Sequence, residues 1–463
     1  PHGSDQQRDR RCVGDTVSGE GSLPSQTVEL LQALIRNACV NDGTAESGQE
    51  VRNADLLEAY LGSAGLDVQR FEPPPGRTSL VARIEGSDPS APSLCLMGHT
   101  DVVPVNVDGW SRDPFAAELV DGEVWGRGAV DMLNLTASQA VVMRSLADSG
   151  FRPRGDLIFF AVADEESGSV HGARWMADNE ADAIRADYVL TENGGLHAGT
   201  EFAPVISVNV AEKGASWRRL TVRGTPGHGS MPYRSDNALV KAAAVVQRLA
   251  EYQPQPRFHE LWRAQVESMG LPDEARDQLM DEDRVDAFLA DVPHAGTAGH
   301  LHACTHTTFS PNVGDGPGKT NVIPDRVSID VDIRTMPGDH TEEVAAHLHE
   351  ALGDLADHVE VEVIMDDAAS SSRIDTPLWD ALERAVTKPF PSARLNPQFI
   401  VGFTDARVYR EMGSVAYGAG LLSPGISGGE FARRFHGHDE RIDVESLRLT
   451  TDLYMDVCRD MLG

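Results

Sequence analysis

Residues 94–101 read Leu94-Cys95-Leu96-Met97-Gly98-His99-Thr100-Asp101, an apolar run that ends on a histidine and an aspartate two positions apart. A short apolar run bounded by turn residues has the signature of a buried strand. The arrangement recurs along the chain. LIFFAVA at 157–163 gives way to Asp164-Glu165-Glu166, YVLT at 188–191 gives way to Glu192-Asn193, and Gly126-Arg127-Gly128-Ala129-Val130-Asp131 precedes the stretch 134–149. A further strand is predicted at 79–84. Helices are predicted at 26–39, where Val28, Leu31, Leu34 and Ile35 share one face, and at 52–62, 134–149 and 170–185. Strands alternating with helices predict an α/β fold with a mostly parallel sheet flanked by helices. The carboxyl ends of such strands line one crevice, so the polar clusters should converge although they are far apart in sequence.

The pattern changes after about residue 212. Strands are predicted at 216–224, at 326–334 (RVSIDVDIR, strictly alternating) and at 359–365, with helices at 235–252 and 341–354, and a strand near 303–310 would complete the order β-α-β-β-α-β. This β-α-β-β-α-β order predicts a smaller α+β, ferredoxin-like domain inserted into the first. The segments are thus 20–211 for the first part of the catalytic domain, 212–370 for the inserted domain and 371–463 for the remainder. The polar stretch 253–302 reads as a decoration of the inserted domain; a histidine-rich loop can bind metal, but His294, His300, His302 and His306 on or near its edge read as polar loop histidines.

The chain has 463 residues, enough for two or three domains at the usual 100 to 200 residues each. With 40 Lys and Arg against 72 Asp and Glu, its formal net charge of −32 excludes nucleic acid and anionic membranes as natural partners. The five cysteines, Cys12, Cys39, Cys95, Cys304 and Cys458, form no C-x-x-C pair and no disulfide framework. No stretch reaches the roughly 18 apolar residues of a membrane span, and residues 1–11 lack an apolar signal core, so a cytoplasmic location is expected.

Carboxylates brought into one crevice repel, and a cation is needed to hold them there near neutral pH. A histidine with several Asp and Glu residues suits zinc or a similar divalent ion. Taken singly, an H-x-D pair is an ordinary surface turn, Glu165-Glu166 a solvated pair and Asp131 a helix cap. It is their joint placement at strand ends that points to chemistry.

The sequence resembles the family of two-zinc exopeptidases and deacylases that includes aminoacylase, carboxypeptidase G, acetylornithine deacetylase, succinyl-diaminopimelate desuccinylase and the carnosine-type dipeptidases. The resemblance rests on GHTDVVP (98–104), GRGAVDM (126–132), DEESG (164–168), TENGG (191–195), GTPGHGS (224–230) and NVIPD (321–325), in the family's order. It implies two divalent metal ions, zinc first, with cobalt and manganese as alternatives. His99 and Glu192 would hold one ion, Glu166 and His436 the other, and Asp131 would bridge them. His438 is the fallback for His436. Glu165 would be the general base. The resemblance also makes Asp101 the residue that orients His99, and its carboxylate is expected to accept from the ring nitrogen facing away from the metal. Adjacent residues of an extended segment face opposite ways, which would separate Glu165 from Glu166. His228 would hold the tetrahedral oxyanion from a partner subunit, making the enzyme a homodimer through the inserted lid domain. Asn321, Arg334, Gly402 and Thr404 would contact substrate, Arg334 by bidentate pairing with a carboxylate.

The implied activity is hydrolysis of N-acyl amino acids or small peptides, with a dipeptidase or carboxypeptidase-type exopeptidase as the alternative. A catalytically inert binding protein of the same fold is the reading from another class. Leu133-Asn134 stands where many relatives have Lys-Gly, which removes a basic residue beside the site. A serine-hydrolase match at Gly425-Ile426-Ser427-Gly428-Gly429 fails on context, because Pro424 opposes the strand that such an elbow requires.

Overall fold

The computed structural model describes residues 21–200, 202–316 and 318–463. Cys12 and the polar segment 1–11 lie outside the described residues. Backbone contacts divide the chain into two compact units, residues 1–192 with 420–463, and residues 193–419. These boundaries differ from 211/212 and 370/371, because the strand Ala203–Glu212 pairs with Arg394–Ile400 and with Val415–Gly418 inside the second unit.

In the first unit the strands run in the order Val68–Phe71, Ser79–Ile84, Leu157–Val162, Leu94–His99 and Tyr188–Thr191. The last three are mutually parallel, and the first two join antiparallel at one edge. Every residue of Leu94–His99 and Leu157–Val162 is buried, as expected of strands covered on both faces. The helices Leu23–Arg36, Leu133–Asp148 and Val444–Leu462 pack on one another. Pro24 in the first turn of Leu23–Arg36 and the Asp443 carboxylate, which accepts from the Ser446 N–H at 2.7 Å, set where two of them begin. Gly98 lets Leu133–Asp148 come directly against the strand, since a Cβ there would overlap Thr136 Oγ1. Thr136 and Gln139 then donate to the carbonyls of His99 and Met97 at 2.9 and 3.1 Å. The helix expected over 170–185 is two shorter ones, Ala173–Asn179 and Ala181–Ile184.

The second unit contains an antiparallel sheet ordered Thr308–Asp315, Arg326–Thr335, Arg218–Arg223, Val359–Val363. Buried and less buried residues alternate along Arg326–Thr335, so Val327, Ile329, Val331 and Ile333 enter a core shared with the helices Ala238–Glu251 and Thr341–Leu352. The β-α-β-β-α-β order is therefore present. Its second strand begins at Thr308, a few residues later than expected.

The stretch 253–302 is not a polar decoration. It folds into four short helices, Trp262–Ser268, Asp273–Leu279, Val285–Ala290 and Ala295–Thr305. Trp262, Val266, Leu279, Val285, Leu289 and Leu301 form a core of their own. His300 and His302 are helical and His294 is a helix cap, so the loop assignment of these histidines is corrected.

Candidate active site

Six of the proposed side chains meet in the first unit at the carboxyl ends of its parallel strands. His99 is the last residue of its strand, Glu192 directly follows Tyr188–Thr191, and Glu165 follows Leu157–Val162 by three residues. Asp131 lies just before Leu133–Asp148, and His436 enters from the segment leading to the C-terminal helix. Asp131 stands between two imidazoles: Oδ1 is 3.2 Å from His99 Nε2 and Oδ2 is 2.8 Å from His436 Nε2. His436 Nε2 is also 3.5 Å from Glu166 Oε2. Two groups present one ligand atom per residue within 4.8 Å of one another, His99 with Glu165 and Glu192, and His99 with Asp131 and Glu166. His438 lies elsewhere, its ring against Gly109.

The separation of Glu165 from Glu166 does not come from strand alternation. Asp164 adopts a left-handed conformation (φ 66°), and Glu165–Ser167 is one turn of 3-10 helix. Residues of such a turn point about 120° apart, which sends the two carboxylates to different groups. Asp164 tolerates this backbone because its carboxylate accepts from the His171 N–H at 2.8 Å and from Asn41 Nδ2 at 3.2 Å.

Asp101 also departs from expectation. His99 Nδ1 donates to the main-chain oxygen of Asp101 at 2.9 Å, while the carboxylate Oδ1 is 3.6 Å away. The result is the same tautomer, with Nε2 free to face Asp131. The other Asp101 oxygen accepts from Asn41 Nδ2 at 2.8 Å and from the Glu166 N–H at 3.2 Å, so this carboxylate fastens the 164–167 turn.

Two supports were not assigned from sequence. Glu440, fully buried, accepts from the N–H groups of Gly128, Val130 and Asp131 at 3.1, 2.7 and 3.1 Å and from Arg127 at 2.6 Å, and so shapes the loop that carries Asp131. Behind the 164–167 turn, Arg77 bridges Glu50 at 2.7 Å and Asn41 at 3.0 Å. The His-x-x-Asp-Glu spacing from His436 to Glu440 was visible in sequence, but there it served only to place His436.

The electrostatics are those of a site built for cations. Burial pushes the Glu192 carboxyl well above the usual carboxylate range, and the charges of Glu165 and Asp131 push it further. Burial and then Asp131 raise Glu166. Burial also disfavours ionisation of Asp131, but hydrogen bonds from His436 and His99 outweigh it and hold this carboxyl low. Against burial, Asp131 and then Glu166 raise the His436 imidazole to about 10. Glu166 Oε1 and Asp101 Oδ1 are buried without a hydrogen-bond partner. Protons on the histidines partly offset the carboxylate charge. Divalent ions offset it better and fit the His and carboxylate donors present.

The remaining candidates lie in the second unit. His228 is exposed on the two-residue strand Gly227–His228, which pairs with Val322–Ile323, and Asn321 is exposed beside it. The Ser230 N–H points at His228 Nδ1 at 3.2 Å, so a neutral ring carries its proton on Nε2. Arg334 already uses one edge on Asp332, at 2.7 and 3.2 Å, and lies over Phe403 and Trp217. The bidentate edge expected for substrate is therefore reduced to what Nη1, buried without a partner, can offer. Thr404 is buried, and its hydroxyl donates to Glu212 at 2.9 Å and accepts from the Ala406 N–H, which makes it a fold contact. Gly402 has open space where a Cβ would stand. Ser427 caps the helix Gly428–Arg434 by accepting from the Glu430 N–H, with no strand before it, as expected of a non-nucleophile.

Comparison with known proteins gives the family of the chain. The chain is 27% identical to aminoacylase-1 of Sus scrofa over 404 residues, covering 86% of this chain and 87% of that protein. It is 25% identical to the N-fatty-acyl-amino acid synthase/hydrolase of Xenopus tropicalis over 458 residues, covering 94% and 86%. In fold it matches a metallo-carboxypeptidase from Sulfolobus solfataricus with a TM-score of 0.72 at 16% identity, covering 96% of this chain and 99% of that one. The model of Peptidase family M20/M25/M40 matches residues 95–460, which contain His99, Asp131, Glu165, Glu166, Glu192 and His436. The chain belongs to this family and is a hydrolase of the metallopeptidase type.

Proposed function

We propose that the chain hydrolyses the amide bond of N-acyl amino acids or short peptides bearing a free carboxylate, using two divalent ions, zinc first among zinc, cobalt and manganese. His99 and Glu192 hold one ion, Glu166 and His436 the other, and Asp131 spans both. The observation that carries this reading is Asp131, whose two oxygens each face a different histidine. Divalent ions at such a site supply Lewis acidity, which acidifies water and polarises a carbonyl. Glu165 takes the proton of the attacking water and delivers it to the leaving amine. Its carboxylate lies within 4.8 Å of ligand atoms of His99 and Glu192, next to where the first ion would be held. Asp101 holds the 164–167 turn and, through its carbonyl, the His99 ring.

His228, exposed in its own unit and bearing its proton on Nε2, donates to the oxyanion of a partner subunit's substrate. The segment 212–370 is the lid and dimerisation domain. Its sheet ends on Val359–Val363, an edge strand with Val361, Val363 and the following Ile364 exposed, a surface suited to cover by a second copy. Asn321, Gly402 and the free end of Arg334 contribute to substrate binding. A cytoplasmic location accords with the described residues, where no helix is long and apolar enough to cross a membrane.

The names of the aminoacylase and fatty-acyl relatives support N-acyl amino acids, and an exopeptidase with the same site is the alternative. The test is a hydrolysis screen of N-acyl amino acids and dipeptides on chelator-treated protein given zinc, cobalt or manganese. Turnover restored by metal on either class supports the reading and chooses between its forms. No turnover on both classes with every metal rejects it in favour of an inert scaffold.

A further inference from the structure

A second set of metal-binding side chains lies far in sequence from the first, inside the helical insertion of the second unit. We infer that Asp286, His302 and His306 bind one divalent transition-metal ion, which ties the helix Val285–Ala290 to the end of the helix Ala295–Thr305. The three residues offer one ligand atom each within 4.8 Å of one another. His302 and His306 are one helical turn apart, and their rings stack in parallel with centroids 4.0 Å apart. Asp286 comes from the preceding helix and brings a carboxylate oxygen to 3.1 Å from His306 Nε2.

The hydrogen bonds of His306 show which nitrogen faces a cation. Nδ1 lies 3.1 Å from the main-chain oxygen of His302, which only accepts, and 2.9 Å from Thr305 Oγ1, whose own proton can go to the carbonyls of Leu301 and His302 at 3.2 Å; in that arrangement Nδ1 carries the ring proton. Nε2 then presents a lone pair to a carboxylate oxygen. Its side chain is 1% exposed, and Asp286 is the polar neighbour that faces Nε2. Two acceptors face to face repel unless a proton or a metal ion lies between them. A proton on Nε2 also answers for the pair, whereas a metal ion draws in His302 as well, by tilting the parallel rings until their nitrogens converge on it. A metal ion uses all three residues, and the His306 Nδ1–H to carbonyl bond is the outer contact that commonly orients a ligating imidazole. Two imidazoles and a carboxylate suit zinc and its neighbours. Asp286 is half exposed, which leaves coordination positions open to water.

Lys213 makes Asp286 essential to this arrangement. Its ammonium donates to the carbonyls of Ala303 at 3.0 Å and His306 at 2.5 Å, holding the turn that aims both rings, and its charge opposes a nearby cation. The Asp286 carboxylate supplies the compensating charge. Coordination would brace a subdomain whose own core is a handful of side chains in helices of six to eleven residues.

The test uses the full chain, stripped by chelator, reloaded with zinc, desalted and analysed for bound metal per chain. The wild type is expected to hold one ion more than Asp286→Asn and one more than His302→Gln, whatever number the other cluster holds, and zinc should raise the wild-type melting temperature more than it raises that of either variant. Asp286 is exposed enough for its asparagine variant to fold if the histidine variant does not. Equal metal content and equal zinc-induced shifts in wild type and Asp286→Asn overturn the inference and leave a proton between Asp286 and His306.

Discussion

Glu440 makes four hydrogen bonds through one buried carboxylate, three of them to the main chain that carries Asp131. Burial pushes this carboxyl up to about 7, with the charge of Arg127 acting against that rise. Glutamine keeps one acceptor but turns an NH2 group toward donors, so the loop relaxes and Asp131 is no longer aimed between its histidines. Glu440→Gln should therefore weaken metal affinity about 10- to 100-fold, as loss of an outer contact does, measured by competition with a chromophoric chelator. Unchanged affinity would show that the loop holds its shape without it. Glu165 differs, since in the proposed mechanism it moves a proton and binds no ion. Glu165→Gln should lower kcat by about 10²- to 10⁴-fold or more while metal content stays at the wild-type value. A variant that loses metal in proportion to activity would make Glu165 a ligand. At this scale the sequence was legible where a residue type is rare in its setting, as with His99 at the end of an apolar run. It was not legible where the partner is a main-chain atom, which is why Asp101 was assigned a carboxylate contact that its carbonyl makes instead.

Elements long enough to show a period were read nearly to the residue. Ser79–Ile84 and Tyr188–Thr191 lie where their apolar runs predicted them, and Arg326–Thr335 alternates as its sequence does. The helices of the insertion were missed because six to eleven residues give too few turns for a face to emerge. Their apolar residues gather only in three dimensions, around Trp262. The Glu165–Ser167 turn escaped notice for a related reason, since its geometry is set by the backbone of Asp164. The insertion carries a pH dependence of its own. His259 stacks tilted on Phe399 with ring centroids 4.0 Å apart, its Nε2 is buried without a partner, and burial lowers its pKa from 6.5 to about 4. Between these values the unfolded chain takes up a proton that the folded chain refuses, so stability falls as pH drops from 6.5 toward 4. Discounted for partial exposure, the loss at pH 5 is about 1 kcal/mol. His259→Phe keeps the ring contact and removes the titration, so its melting temperature should drop less than the wild type's between pH 7.5 and pH 5. Parallel drops in the two proteins would show that His259 is protonated in place.

Over the whole molecule, the topology follows from where apolar runs and turns fall, whereas the assembly depends on surfaces that a single chain leaves open. The β-α-β-β-α-β order was visible in three of its strands, whereas Thr308–Asp315 has no apolar run of its own and was inferred from the order of the others. Which strands join Ala203–Glu212 was not, because Arg394–Ile400 and Val415–Gly418 reach it only through distant pairing. His228 tests the proposed assembly directly. If it serves the site of the partner subunit, the homodimers of His228→Ala and of Glu165→Ala are both nearly inactive, each for want of one group. Mixing them under conditions that let subunits exchange creates heterodimers in which one site joins an intact Glu165 to an intact His228 of the partner subunit, while the other lacks both. Random exchange makes half the dimers mixed, so activity should recover to about one quarter of the wild-type value. Recovery should follow the rate of subunit exchange and vanish if each variant is cross-linked beforehand. No recovery from two dimeric, exchanging variants would place His228 outside the partner's chemistry, and a monomer on sizing at assay concentration would remove the homodimer itself.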